Sequence, residues 1–231
     1  NRALADETPG DGKGGWTDQG KNDMSLFPTG RQSFDGIEYA IGSLEKGAVM
    51  LASPHVKTER PLPRAVPIAV GAKFDTLFFL YTAAWAGDEK KVDGKLEKIP
   101  NPVAAEIVVR YGDGTVEKLP FVVGQHLVDW WTDPSWQQFA ALNDNQVYSA
   151  WQGPNPAVAR VTVLYRQWDN PHPDKEIKEI ILDNTNSPVE SAFALLGVTG
   201  ARPQTGRAGG IEAFRLSYDG DMDAAGSGGE P

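Results

Sequence analysis

Residues 104–124, AAEIVVRYGDGTVEKLPFVVG, decide how this chain is read. Apolar and polar residues alternate on either side of Gly112-Asp113-Gly114. A period of two places successive side chains on opposite faces of a strand. Glycine supplies the positive φ that tight hairpin turns need. The stretch is therefore predicted to be a β-hairpin. Similar short runs lie on both sides of it. Upstream, QSFDGIEYAIG (32–42) alternates through Phe34, Ile37, Tyr39 and Ile41, and GAVMLAS (47–53) is a short buried run. RAVPIAVG (64–71) follows Pro61 and Pro63, which suits a sheet edge. FDTLFFLYTAAW (74–85) is apolar enough to be a central strand buried on both faces.

Downstream, ARVTVLYRQWDNP (159–171), IKEIILDNT (177–185) and SAFALLGVTGA (191–201) read as further strands. Residues 86–102 are charged and bounded by glycine and proline, so they are a loop or short insertion. Only PSWQQFAALND (134–144) has a helical pattern. About eight to ten strands and one minor helix make an all-β sandwich. Periodicity does not choose among sandwich types. Residues 1–30 form an ordered N-terminal loop region. After Ala201 the composition shifts, so the domain is placed at 1–200. Residues 201–231 are read as a linker, one extra strand and a flexible, acidic, glycine-rich tail.

The 231 residues are 40% hydrophobic, enough for an ordinary core. A net charge of −9 argues against nucleic acid as a partner, because backbone binding needs clustered Lys and Arg. There are no cysteines, which removes disulfides, thiolate metal sites and cysteine nucleophiles. His55, His126 and His172 are far apart and match no zinc signature. No run approaches the length of a helical membrane span, and no signal-peptide leader is read at the start.

The opening residues 6–41, DETPGDGKGGWTDQGKNDMSLFPTGRQSFDGIEYAI, carry a glycine-rich W-T-D-Q-G loop, then N-D, F-P-x-G and F-x-G-I-x-Y-x-I. Later come Ala-Ala-Trp (83–85), Tyr-Gly-Asp-Gly (111–114), Asp-Trp-Trp (129–131), Trp-Asp-Asn-Pro (168–171) and Gly-Val-Thr (197–199). This order of motifs, over roughly residues 3–200, resembles bacterial galactose-binding-like jelly-roll modules attached to glycoside hydrolases and polysaccharide lyases. The resemblance implies a jelly-roll sandwich, a carbohydrate ligand, a catalytic neighbour domain and a secreted or periplasmic location. It names no sugar, since one fold hosts many functions.

Five of the seven tryptophans lie between 130 and 168. Sugar rings present C–H faces, and aromatic side chains offer rigid platforms with few rotamers to freeze. Trp85, Trp130, Trp131 and Trp151 are the candidate platforms, with Asp129 and Arg166 for hydroxyls. In an extended Asp-Trp-Trp, one tryptophan faces the core and the other faces out. Trp168 reads as structural.

The loop DGKGGWTDQG (11–20) admits several readings. A phosphate cradle lacks the strand before it and the helix after it. Oxygen-rich, glycine-punctuated loops suit calcium, so Asp11, Asp18 and Asp23 are candidate ligands of a structural Ca2+. The competing reading is turn capping by Asp and Asn. The resemblance makes the loop the module's opening segment and Trp16 a plug seating it on the sandwich. An enzyme would need convergent groups. The candidates Glu106, His126, Asp129, Asp133, Tyr165, Arg166 and Asp169 share no linear spacing that joins them. The resulting expectation is non-catalytic recognition of a polysaccharide or glycan. An unorthodox hydrolase or lyase and a structural accessory domain are the alternatives.

Overall fold

The computed structural model describes residues 2–132, 138–158, 160–202 and 211–214. Its strands, in chain order, are β1 (Gly30–Phe34), β2 (Ile37–Ile41), β3 (Val49–Met50), β4 (Ala65–Ala72), β5 (Thr76–Ala84), β6 (Glu89–Val92), β7 (Lys95–Lys98), β8 (Val103–Tyr111) and β9 (Val116–Val122). The helix α1 (Gln138–Asp144) follows, then β10 (Val147–Gly153), β11 (Val161–Asp169), β12 (Ile177–Asp183), β13 (Ala192–Ala201) and β14 (Ile211–Phe214). The Gly-Asp-Gly hairpin forms as expected, joining β8 to β9 with Gly114 at φ +90°.

Two antiparallel sheets make the sandwich. The larger runs β10-β11-β5-β13-β14, with β3 also on β13; the smaller runs β4-β12-β8-β9. The proline-preceded strand β4 is an edge, as its sequence requires. Between the sheets, Leu77, Phe79 and Tyr81 of β5 and Phe193 and Leu195 of β13 meet Ile107, Val109, Phe121 and Ile180 of the other sheet. Each fully buried side chain of this size contributes about 1.5–3 kcal/mol.

The other face of the larger sheet is also apolar, so it needs its own cover. Leu80, Ala84, Val163, Ala194 and Leu196 face away from the sandwich core, and the N-terminal region lies on them. Leu4, Trp16, Met24 and Phe27 pack there with Ile37 and Tyr39. Residues 2–48 thus supply a third layer, while β3 just beyond them joins the larger sheet. Trp16 is fully buried and meets Trp130 edge-on at 4.8 Å, so it is the plug its position suggests.

The loop around Trp16 is held by side chains bonded to its backbone. Arg2 is buried and donates to the carbonyls of Gly15 at 2.7 Å and Gly14 at 2.6 Å, with longer bonds to Gly12 and Lys57. Burial lowers the pKa of Arg2 from its ordinary value, against the opposing pull of Asp18, Asp6 and Asp11. Asp6 accepts from the Gly20 N–H at 2.8 Å, and Asp23 accepts from the Asp6 N–H at 2.7 Å. A buried loop without strand pairing has to satisfy its peptide groups this way.

Three details differ from the sequence reading. Residues 32–42 are not one strand but the hairpin β1–β2, turned by Asp35 and Gly36, both at positive φ. The charged insertion 86–102 contains a second hairpin, β6–β7, turned by Asp93 and Gly94. The helix is described from Gln138, so the first residues of the expected 134–144 span lie outside the described residues, as do most of 201–231 and Trp136. Among the described residues no helix is long and apolar enough to cross a membrane.

Two glycine substitutions separate close packing from backbone strain. A Cβ on Gly15, at φ +55°, would sit 2.4 Å from the Asp6 Cβ, whereas Gly36, at φ +79°, has open space. Gly36→Ala should cost about 1 kcal/mol through the left-handed backbone alone. Gly15→Ala should cost about 1–3 kcal/mol more through overpacking. Urea-denaturation midpoints of the two variants check this order.

Candidate functional site

The antiparallel register gathers one set of loops at one end of the sandwich. The C-terminal end of β5 pairs with the start of β13, and the starts of β4 and β8 flank the end of β12. Residues 53–64, 85–88, 123–132 and 184–191 therefore crowd together. Trp85, Asp129, Trp130 and Trp131 all belong to this end.

Asp129 organises it. One carboxylate oxygen accepts from the Trp131 N–H at 3.0 Å and the other from the Ala86 N–H at 3.3 Å. Its carboxylate therefore ties together the backbone that carries Trp131 and the backbone just beyond Trp85. It serves as a clamp rather than a free hydroxyl-binding group. Trp130 donates its backbone N–H to the Ala83 carbonyl at 2.8 Å, so this segment rests on the end of β5. Trp130 and Trp131 do divide between core and solvent, but on a turn closed by the Thr132 N–H to the Asp129 carbonyl at 2.8 Å, not on the extended segment the sequence suggested. Trp130 is 3% exposed, wedged against Trp16, and drops out of the candidate platforms, while Trp131 is 47% exposed.

Trp85 is half-buried and sits at φ +53°, a left-handed backbone uncommon for a bulky residue. The Ser191 hydroxyl and the Gly87 N–H both donate to its carbonyl. The His55 ring lies on the indole, with centroids 5.0 Å apart and planes 18° apart. The Nε2 of His55 is 3.2 Å from the Glu190 carboxylate. Beside this stack runs a groove of about 590 Å³ between residues 52–64 and 184–190. Pro54, Val56, Pro61 and Leu62 line one wall, and Pro188 and Val189 the other. Arg64, Asn184 and Glu190 add the charged and amide groups. Sequence reading missed His55, Arg64, Asn184 and Glu190. The prolines at 54, 61, 63 and 188 marked the two loops, but nothing in linear order shows that they face each other.

Other candidate residues are engaged elsewhere. Trp151 lies in β10, meets Phe27 edge-on at 5.2 Å and folds over Gly153, so its ring packs on the N-terminal layer. Arg166 donates to the Pro120 carbonyl at 2.8 Å and lies over the Phe121 ring; burial lowers its pKa, and it is unsuited to meeting a ligand. The proposed calcium ligands do not converge. Asp11 accepts from the Lys13 N–H, Asp18 from the Gly12 N–H, and Asp23 from Asp6 and Ser25. These bonds favour the capping reading for Asp11 and Asp18, while Asp23 also ties the loop to Asp6. Among the described residues no three acidic or histidine side chains form a metal-holding group.

The candidate catalytic groups are also dispersed. Glu106 pairs with Lys118 at 3.7 Å. Asp169 binds the Thr76 hydroxyl at the opposite end of the larger sheet. Tyr165 is buried, which with Asp35 raises its phenol to about 12. Asp133 lies outside the described residues. His126 is buried; its Nδ1 accepts from the Val122 N–H at 3.2 Å, and its carbonyl accepts from the Tyr81 hydroxyl. Comparisons with family models, with curated proteins and with solved structures found no match.

Burial, with the Arg166 cation second, pushes the His126 imidazole down to about 4 from 6.5. The folded state therefore holds the neutral ring while the unfolded chain protonates near its ordinary value. Between those two pH values the unfolded state binds more protons, so stability should fall as pH drops from about 6.5 to 4. His126→Asn, which keeps an acceptor for Val122, should flatten that part of the curve. Urea midpoints measured across this range for both proteins check it.

Proposed function

We propose that this chain is a non-catalytic carbohydrate-binding module of galactose-binding-like jelly-roll type, acting outside the cytoplasm beside a catalytic domain. The observation that carries the reading is Trp131. A large apolar ring is held nearly half in solvent on a backbone fixed by Asp129 and beside the buried Trp130. A preorganised platform loses little entropy when a sugar ring stacks on it. Trp85 borders the same end, but the His55 ring already lies on its indole, so Trp131 is the platform left open. The proline- and hydroxyl-lined groove beside Trp85 has the size of a ligand site. Hydrolysis is the weaker reading, because Glu106, Asp129 and Asp169 each have other engagements.

Affinity electrophoresis through gels containing a panel of polysaccharides tests the proposal. The wild-type protein should be retarded by at least one polysaccharide and release no reducing ends from it. Trp131→Ala should lose about tenfold or more in affinity, the scale of one central aromatic contact, with an unchanged melting temperature. Release of reducing ends would point to an enzyme. No retardation by any polysaccharide would leave the chain as a structural accessory domain.

A further inference from the structure

We infer that the groove between residues 52–64 and 184–190 selects a sugar unit carrying an anionic substituent, a carboxylate or a sulfate ester. This rests on the carbohydrate reading above and adds the substrate class. The whole chain is acidic, at −9, yet residues 53–64 reverse that sign. They carry Lys57, Arg60 and Arg64 against Glu59 alone, and His55 besides. The three cations are exposed, and none is ion-paired with a described residue. On the facing wall, the one carboxylate lining the groove, Glu190, is engaged by His55 at 3.2 Å. Charges are screened over about 8 Å at physiological ionic strength. Of the three cations Arg64 lines the groove, and a ligand there is governed by this nearby charge more than by the charge of the distant surface.

Arg64 lines the groove itself, and its planar guanidinium matches carboxylate and sulfate oxygens in a way a lysine does not. Asn184 also lines the groove. It is 6% exposed, its Nδ2 donates to the Ala52 carbonyl at 2.7 Å, and its Oδ1 has no hydrogen-bond partner. Its residue separates this groove from a smaller hollow of about 280 Å³ on the far side of the 184–188 turn. The Asn184 Oδ1 is closed off from solvent, so Arg64 rather than Asn184 is the polar contact the groove offers a ligand. The apolar walls of Pro54, Pro61 and Pro188 fit the C–H faces of a pyranose ring.

Matched pairs of polysaccharides separate charge from sugar identity. Polygalacturonate is compared with its methyl ester, and a sulfated galactan with unsulfated agarose, by affinity electrophoresis of the wild type, Arg64→Ala and Arg64→Lys. The expected result is retention of the charged member of one pair at least tenfold more strongly than its neutral partner. Which pair responds tells carboxylate from sulfate. Arg64→Ala should lose that preference and Arg64→Lys should recover only part of it, with melting temperatures unchanged because Arg64 is exposed. Equal retention of charged and neutral members, or an unchanged preference in Arg64→Ala, overturns the inference and leaves the carbohydrate reading standing. Equal retention by poly-glutamate also overturns it, as charge alone would then explain binding. No retention of these or of the wider polysaccharide panel overturns both.

Discussion

The two central strands of the larger sheet, β5 and β13, have no polar face, and the rest of the structure answers to that constraint. In β5 and β13 nearly every side chain is buried, whichever way it points. A strand of this kind must be covered twice. The smaller sheet covers it once and makes the sandwich. The second cover is not another full sheet, because the residues left for it, 2–48, are rich in glycine, aspartate and turns and pair only in the two-stranded β1–β2. They instead form a stitched loop and a hairpin. Trp16, Tyr39 and Met24 supply apolar bulk, while Arg2, Asp6 and Asp23 satisfy peptide groups that no ladder reaches. Asp6 and Asp23 are therefore structural acceptors.

Much of the architecture was legible, for identifiable reasons. Alternation around Gly112–Gly114 gave a hairpin because both the period and the turn chemistry are local. The unbroken apolar run from Phe74 to Trp85 gave a central strand because only burial on both faces tolerates it. The Asp35-Gly36 hairpin was equally readable, since Asp-Gly between alternating residues is a strong two-residue turn signal. It was hidden because the alternation of Phe34, Ile37 and Tyr39 was followed as one strand through the turn. The Asp-Trp-Trp split was not legible from strand geometry, because the segment is a turn closed by the Thr132 N–H on the Asp129 carbonyl, and which tryptophan would be buried was not legible either. That depends on Trp16, which is more than a hundred residues away in sequence.

The site was less legible because it is made of loops joined only by topology. His55 stacks on Trp85, and Ser191 bonds its carbonyl, across 30 and 106 residues of sequence. No spacing rule encodes such contacts. Arg166 failed as a hydroxyl-directed group for the opposite reason. Its position in a strand was right, but the guanidinium turned toward Phe121 and Pro120. His126 is one of the candidate groups an enzyme would need, and burial explains why it is a poor one. A ring held neutral and bonded to the backbone serves the turn that carries it.

The glycine-rich loop that most resembled a binding site bears on function indirectly. Arg2 donates to carbonyls of Gly12, Gly14 and Gly15, but also to that of Lys57, and the Glu59 N–H donates to the Gly12 carbonyl at 3.2 Å. Lys57 and Glu59 belong to the loop that forms one wall of the groove. The same buried guanidinium that seals the outer face of the sheet therefore fixes the shape of that wall. The Trp16–Trp130 contact does the equivalent for Trp131, whose neighbour it pins. An open end of a sandwich would ordinarily carry mobile loops. Here two of them are anchored through the N-terminal layer, so the constraint that closes the core also preorganises the candidate site.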